Sequence, residues 1–412
     1  MRRAQNKNFR VLLLDAVLYA VALTFLDTNT VIPSFLDALG ASPISIGLAA
    51  SLKQLGFLLP QFYVLVKIPL LKNQAGFMRT VMLIGRPQLL IFLIILLLFP
   101  KQPFLPVLFL ISLAIFYFGE GVIQLPWMNL LGCTVRANLR GKLWGMAQVA
   151  GGLGSLAGGY LIAKLLNMPE ISFPEKYFYI FSCGLLLLMP ALYYFRWLEN
   201  PAPWPDARPV SLPGALRAAW QDNDFRRMLA VQFLTSSNML TLPYYIITVK
   251  HRFPFLAAQT GTFVCLSITG GILGGFLWGY LSDRKGNRLA IICTVMSGIV
   301  MAGCFWAALF INDSALLSLI LKPAFLLVGM SGGGWLSFVN YMMELGDDHS
   351  RLHFITLNNA CRLPLVLLPV LGGLLRVSYS DRIIFAAVAI FSILALFPAL
   401  KLTEPRKFHS WM

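Results

Sequence analysis

The chain has 412 residues, of which 58% are hydrophobic and only 12% are Asp, Glu, Lys or Arg. Soluble domains carry about 25% charged residues, so this composition excludes soluble enzymes, nucleic-acid modules and disordered chains. The formal net charge is +16. We attribute it to the basic cytoplasmic loops of a membrane protein, because Lys and Arg concentrate there, and we expect no nucleic-acid partner.

Apolar segments without any charged residue recur along the chain. Each is long enough to cross the hydrocarbon core as a helix of about 18–20 residues, and too long for a strand of a membrane β-barrel. The eight charge-free runs are 102–119, 143–163, 177–195, 228–249, 253–282, 289–312, 323–343 and 383–400. With four runs that charges interrupt, they predict an all-α membrane protein with twelve transmembrane helices.

The predicted spans, numbered one to twelve, are 11–36, 44–66, 80–99, 104–129, 142–164, 177–197, 227–249, 258–281, 289–311, 316–342, 353–376 and 382–401. One long proline-rich connection divides them into six and six. The predicted domains are therefore an N-terminal six-helix bundle over 1–197, a cytoplasmic linker with a short amphipathic helix over 198–226, and a C-terminal six-helix bundle over 227–412.

The distribution of basic residues predicts the orientation in the membrane. With the N-terminus inside, 22 Lys and Arg residues lie in cytoplasmic segments and 8 in outer segments. Because cytoplasmic loops carry the excess of positive charge, we expect both termini in the cytoplasm of a multi-pass protein in the plasma or inner membrane. The six cysteines are scattered and predict neither disulfides nor a metal site.

The two halves of the chain echo each other. The segments 198–201 and 402–405 close spans six and twelve, as Leu-Glu-Asn-Pro and Leu-Thr-Glu-Pro. Arg140 precedes a Gly-rich span five, and Arg351 precedes span eleven with its Gly372 and Gly373. Because both pairs are offset by about half the chain, they predict two pseudo-symmetric bundles, an arrangement typical of secondary transporters.

The segment 279–288, Gly-Tyr-Leu-Ser-Asp-Arg-Lys-Gly-Asn-Arg, lies between spans eight and nine. It resembles the loop signature G-x-L-[AS]-D-R-x-G-x-R of the major facilitator superfamily. We expect Gly279 to permit close helix approach, Asp283 to cap the start of span nine and Gly286 to supply the turn. The full candidate gating loop is Gly279, Asp283, Arg284, Gly286 and Arg288, with Arg140 as a partner from the other half.

The resemblance implies two six-helix bundles that work by alternating access, with spans one, four, seven and ten lining the cavity. Two motifs of the family are altered. The stretch 67–79 lacks the Asp of the loop signature, and the fourth-span motif R-x-x-Q-G has Tyr117 and Glu120 in place of Arg and Gln. Proton coupling through that arginine therefore does not carry over.

Charged residues within the spans mark either a function or a compensating partner, because a charge in hydrocarbon costs at least about 2.5 kcal/mol on insertion scales. Asp27 and Lys53 lie at matching depth on adjacent spans, and Arg86 and Glu120 share the inner half. Each pair is either a structural ion pair or a site where substrate or a proton competes. The binding candidates are Asp27, Asn29, Lys53, Glu120, Gln124, Asn238, Asn358 and Arg362.

Glycines in the spans form small-residue faces that predict close helix packing. They are Gly270/Gly274, Gly271/Gly275 and Gly275/Gly279 in span eight, and Gly151, Ser155 and Gly159 in span five.

Together these features predict a secondary active transporter that moves a small solute by alternating access, and not an enzyme. We expect a monomer in a lipid bilayer without a bound cofactor, and the coupling ion is left open between a proton and sodium. One alternative is an integral-membrane lipid-modifying enzyme, for which only His349 and His353 beside Asp347 qualify. Others are a lipid transporter or a non-transporting sensor on the same fold.

Overall fold

The computed structural model describes residues 2–67, 73–198, 222–345, 357–358 and 361–405. All regular elements in these ranges are helices, and nine of the helices there are long and apolar enough to cross a membrane. The chain separates into two compact units, Met1–Ala207 and Arg208–Met412, here called the N-terminal and C-terminal units. The predicted amphipathic helix of the linker, Arg351 and the His349/His353 group lie outside the described residues.

Nine α-helices form the N-terminal unit. Two of the predicted spans are interrupted where the sequence is unfavourable for a helix. Span one breaks over 26–30, and span three bends at Arg86, because Pro87 cannot donate a hydrogen bond to the preceding turn. The helices are α1 Arg2–Phe25, α2 Val31–Ala38, α3 Pro43–Lys67, α4 Gln74–Gly85, α5 Pro87–Leu98, α6 Leu105–Thr134, α7 Ala137–Asn167, α8 Glu175–Leu188 and α9 Ala191–Tyr194.

Glycines let the helices of this unit touch backbone to backbone. A Cβ atom added to Gly121 of α6 would lie 1.9 Å from the carbonyl oxygen of Gly56 in α3, a contact that the sequence analysis missed. On α7, a Cβ added to Gly151 would lie 3.1 Å from Ala20 Cβ, and one added to Gly154 would lie 2.4 Å from Val21 Cγ2. The predicted glycine face of span five therefore packs against α1.

The C-terminal unit has interrupted spans as well. Span seven consists of α10 and α11, which two 3₁₀ turns over 236–240 and 242–244 separate, and span ten breaks between α14 and α15. The described part of span eleven contains a 3₁₀ turn over 364–367 and α16. The helices are α10 Asn223–Thr235, α11 Tyr245–Arg252, α12 Thr260–Lys285, α13 Asn287–Ala308, α14 Ser314–Ser331, α15 Trp335–Leu345, α16 Leu368–Ser378 and α17 Asp381–Leu400.

Only part of the glycine pattern in span eight serves close packing. A Cβ on Gly270 would lie 1.9 Å from the carbonyl oxygen of Leu326 in α14, and one on Gly274 would lie 2.7 Å from Met330 Cα. A Cβ on Gly275 or Gly279 would meet no atom within 4 Å. The prediction that Gly279 permits close helix approach is therefore wrong, because that side of α12 has no neighbour near enough to need a glycine.

Candidate functional site

A buried ion pair joins Arg86 and Glu120 in the N-terminal unit. Arg86 lies at the bend between α4 and α5, and Glu120 lies in the middle of α6. Arg86 Nε donates to Glu120 Oε1 at 2.9 Å, and the side chains are only 2% and 5% exposed. A further guanidinium nitrogen donates to the carbonyl oxygen of Leu188. The pairing expected from the sequence therefore forms, with geometry that satisfies both charges.

A second buried carboxylate, that of Asp15 on α1, lies beside this pair. It accepts a hydrogen bond of 2.8 Å from Trp127 Nε1 on α6 and another of 2.8 Å from the hydroxyl group of Tyr194 on α9. Both donors are neutral, whereas Glu120 has a cation as its partner. Arg86 and Glu120 both act electrostatically on Asp15. The candidate set from the sequence lacked Asp15, because nothing in the pattern showed that spans four and six turn donors toward it.

These residues border a cavity of about 360 Å³ within the N-terminal unit. Its charged lining consists of Asp15, Arg86 and Glu120, and the candidate Gln124 also lines it. The remaining lining side chains are apolar or aromatic: Ala16, Tyr19, Ala20, Leu23, Phe57, Met82, Ile123, Trp127, Met128 and Trp144. The structure thus gathers Glu120 and Gln124 around one cavity, and adds Asp15 to them.

Asp27 stabilises the break in span one. Its Oδ2 accepts hydrogen bonds from Thr30 Oγ1 at 2.5 Å and from the backbone N–H of Asn29 at 3.2 Å. Its carbonyl oxygen accepts from the N–H of Ile32, in the first turn of α2, at 2.9 Å. The carboxylate therefore holds the entry to α2, and the candidates Asp27 and Asn29 form one local turn.

Lys53 does not form the expected ion pair with Asp27. Lys53 is half-buried in the middle of α3, and within the described ranges no carboxylate oxygen lies within 4.0 Å of its Nζ. Asp27 acts on it at longer range. The reason is that Thr30 and Asn29 already occupy the carboxylate of Asp27, so matching depth on adjacent spans does not bring the two charges into contact.

In the C-terminal unit the candidates lie at separate places. Asn238, in the 3₁₀ turn of span seven, donates to Ser392 Oγ of α17 at 3.1 Å, while its Oδ1 is buried without a partner among the described residues. Asn358 is buried with its Oδ1 in the same state. Arg362 lines a cavity of about 320 Å³ together with Arg226, Gln232 and Phe233, and this cavity carries no acidic side chain.

The gating-loop residues largely contact their own unit. Gly286 has a φ of +96° and ends α12, so it supplies the expected turn. The expected cap is wrong: the N–H of Arg288 donates to Glu404 Oε2 at 3.0 Å, so Glu404, and not Asp283, caps α13. Arg284 lies over the ring of Tyr280, and Arg140 Nε donates to the carbonyl oxygen of Val135 at 3.1 Å. The expected contact of Asp283 with Arg140 stays a prediction.

No metal centre emerges from the described part of the chain, where no three His, Cys, Asp or Glu side chains are grouped to hold an ion. The His349/His353 group, on which the enzyme alternative depended, lies beyond those residues. What the geometry provides instead is intramembrane charge and polar breaks in apolar helices. In membrane proteins such features mark substrate and ion pathways.

Comparison with solved structures identifies the fold. The chain is similar to the nucleoside transporter NupG, with a TM-score of 0.69 at 13% identity over 97% of this chain and 100% of that one. It is similar to a bacterial homologue of the iron transporter ferroportin in an inward-facing state, with a TM-score of 0.67 at 13% identity over 98% and 99%. The E. coli fucose:proton symporter FucP gives a TM-score of 0.57 at 14% identity over 97% and 100%.

Comparison by sequence identifies the family. No curated protein matches the chain, but the family model described as Major Facilitator Superfamily matches residues 16–363. That match covers most of the chain, from span one into span eleven, and agrees with the resemblance of the segment 279–288. The chain therefore belongs to the major facilitator superfamily, and it is a multi-pass secondary membrane transporter rather than an enzyme.

Proposed function

We propose that this transporter moves a small solute across the cell membrane by alternating access and that a proton gradient drives it. The observation that carries the proton coupling is the presence of three carboxylates within the spans, Asp15, Asp27 and Glu120. Carboxylates at such depth are costly unless they serve a function, and a carboxyl group is the side chain that most readily takes and releases a proton inside a protein.

We also propose that both termini lie in the cytoplasm. The 22 to 8 distribution of basic residues between the two sets of loops supports this orientation. It places the loop signature 279–288 and Glu404 on the cytoplasmic side. In this orientation the segments around Lys101 and Lys250 face outward.

The test is transport by the purified full chain in proteoliposomes. A panel of labelled solutes, including nucleosides, sugars, organic cations and organic anions, is offered with an imposed pH gradient. We expect at least one solute to move faster than in protein-free liposomes, and a protonophore to abolish the difference. Transport that persists at full rate without any pH gradient, and depends on sodium instead, would contradict proton coupling.

Substitution of the carboxylates tests their part in coupling. Asp27→Asn and Glu120→Gln each remove one titratable group, and we expect each to lower proton-driven transport about ten-fold or more, as loss of one catalytic or coupling proton step does. Asp313→Asn is the matched control, because Asp313 caps α14 at an exposed position and Asn caps equally well. Full activity in both test variants would remove these carboxylates from the mechanism.

A further inference from the structure

The cavity of the N-terminal unit carries one uncompensated negative charge. Asp15 and Glu120 contribute two carboxylates and Arg86 one guanidinium, and these are the charged side chains of its lining. Arg86 is paired with Glu120 at 2.9 Å, whereas Asp15 is held by the neutral donors Trp127 and Tyr194. A buried charge without a counter-ion is costly, so the cavity favours an occupant that brings a positive charge.

The walls of the cavity indicate what kind of cation it takes. Tyr19, Phe57, Trp127 and Trp144 line it, and Trp127 and Trp144 pack with their ring centroids 5.7 Å apart. Aromatic faces attract cations, and the attraction is strongest where water is excluded. A bare metal ion would instead need several free oxygen ligands, but both carboxylates here already accept hydrogen bonds.

Size and access point the same way. A volume of about 360 Å³ lies within the range of about 300–1,000 Å³ that small-molecule pockets occupy. Met128 and Trp144 are 48% and 44% exposed at its rim, so a ligand has a way in. The hydroxyl oxygen of Tyr19 is buried without a hydrogen-bond partner among the described residues, and it leaves one acceptor for a ligand.

We infer that this cavity binds a lipophilic organic cation, with Asp15 supplying the charge and the aromatic side chains the contact surface. The inference rests on the proposed function, since it names the class of solute that the transporter would carry. Glu120 is a positioning residue in this arrangement, because it holds Arg86 and thereby keeps the guanidinium from neutralising Asp15.

The test is equilibrium binding of tetraphenylphosphonium to the purified full chain in detergent, corrected for protein-free micelles. Tetraphenylborate, of nearly the same size and opposite charge, is the charge control. We expect the phosphonium to bind and the borate not to bind. Asp15→Asn should weaken phosphonium binding about ten-fold or more, the factor that corresponds to about 1.4 kcal/mol. Equal binding of both ions, or none of the phosphonium, overturns the inference.

A pair of tryptophan variants keeps the test decisive if Asp15→Asn fails to fold. Trp144→Leu removes one aromatic wall, and we expect binding about three-fold weaker or more. Trp197→Leu is the matched control, because Trp197 belongs to the same unit, is 45% exposed and lies outside the cavity lining. Equal affinities in the two variants would contradict the aromatic contact.

Binding and transport together separate the two proposals. If another solute moves in proteoliposomes while the phosphonium fails to bind, the inference about the cavity is wrong and the transport function stands. If the phosphonium binds through Asp15 and no solute moves under any gradient, the site stands and the proposed transport is wrong.

Discussion

At the scale of single residues, the intramembrane charges differ in how they are compensated. Arg86 and Glu120 neutralise each other directly, Asp15 and Asp27 accept hydrogen bonds from neutral groups, and Lys53 has no carboxylate within 4.0 Å in the described ranges. Since hydrogen bonds alone satisfy a charge less completely than an opposite charge does, Asp15, Asp27 and Lys53 remain available to a substrate or an ion.

The buried pair leads to a prediction about stability. Arg86→Met leaves the carboxylate of Glu120 buried without its cation, and we expect it to destabilise the protein by about 3–5 kcal/mol. The double variant Arg86→Met, Glu120→Leu should recover most of that loss, because replacing a whole buried pair by apolar side chains is often neutral. The measurement is a double-mutant cycle from thermal unfolding in detergent. Additive losses in the two single variants would show that the residues are not coupled.

At the scale of the helices, glycine spacing predicts a packing face but not which face is used. Gly270 and Gly275 lie five residues apart on α12, and both belong to predicted stripes. A Cβ on Gly270 would lie 1.9 Å from a backbone oxygen of α14, whereas a Cβ on Gly275 would meet nothing within 4 Å. The difference is set by the position of α14, which the local sequence does not contain.

This difference is directly testable. Gly270→Ala should destabilise the protein by at least about 1–3 kcal/mol, because the backbone of two helices must separate to admit a methyl group. Gly275→Ala in the same helix should be neutral or stabilise by about 0.5–1 kcal/mol, since Ala favours the helix. Thermal unfolding of the two purified variants gives the comparison. Equal melting temperatures would refute close packing between α12 and α14.

The turn of the loop signature provides a second test at this scale. Gly286 adopts a φ of +96°, and a Cβ there would also lie 2.2 Å from Glu404 Oε2. We therefore expect Gly286→Ala to destabilise by about 1–3 kcal/mol. Gly279→Ala in the same motif should have little effect on melting temperature, because the space around Gly279 is open. Loss of stability in the Gly279 variant alone would reverse the roles assigned to the two glycines.

At the scale of the whole molecule, the sequence predicted the membrane class, the family and most of the spans. It could do so because lipid offers backbone groups no hydrogen bonds, so each crossing must be a long apolar helix. It could not predict the break at 26–30 as a turn that Asp27 holds, or the role of Glu404 at α13. Those depend on contacts between residues brought together only by folding, as does the approach of Asp15 to Trp127 and Tyr194.

The orientation of the whole chain is the remaining prediction at this scale, and single cysteines can test it. All six native cysteines are free, and Cys133 and Cys361 are exposed, so the background is a variant with all six changed to Ser. In that background Lys101→Cys and Lys285→Cys place one thiol each at exposed positions on α5–α6 and α12–α13 connections. With both termini in the cytoplasm, a membrane-impermeant maleimide should label the cysteine at 101 in intact cells and leave the one at 285 unlabelled. Permeabilised cells should label both, which controls for reactivity. Labelling at 285 but not at 101 in intact cells would mean that the chain is inserted the other way, and that basic residues do not set its topology.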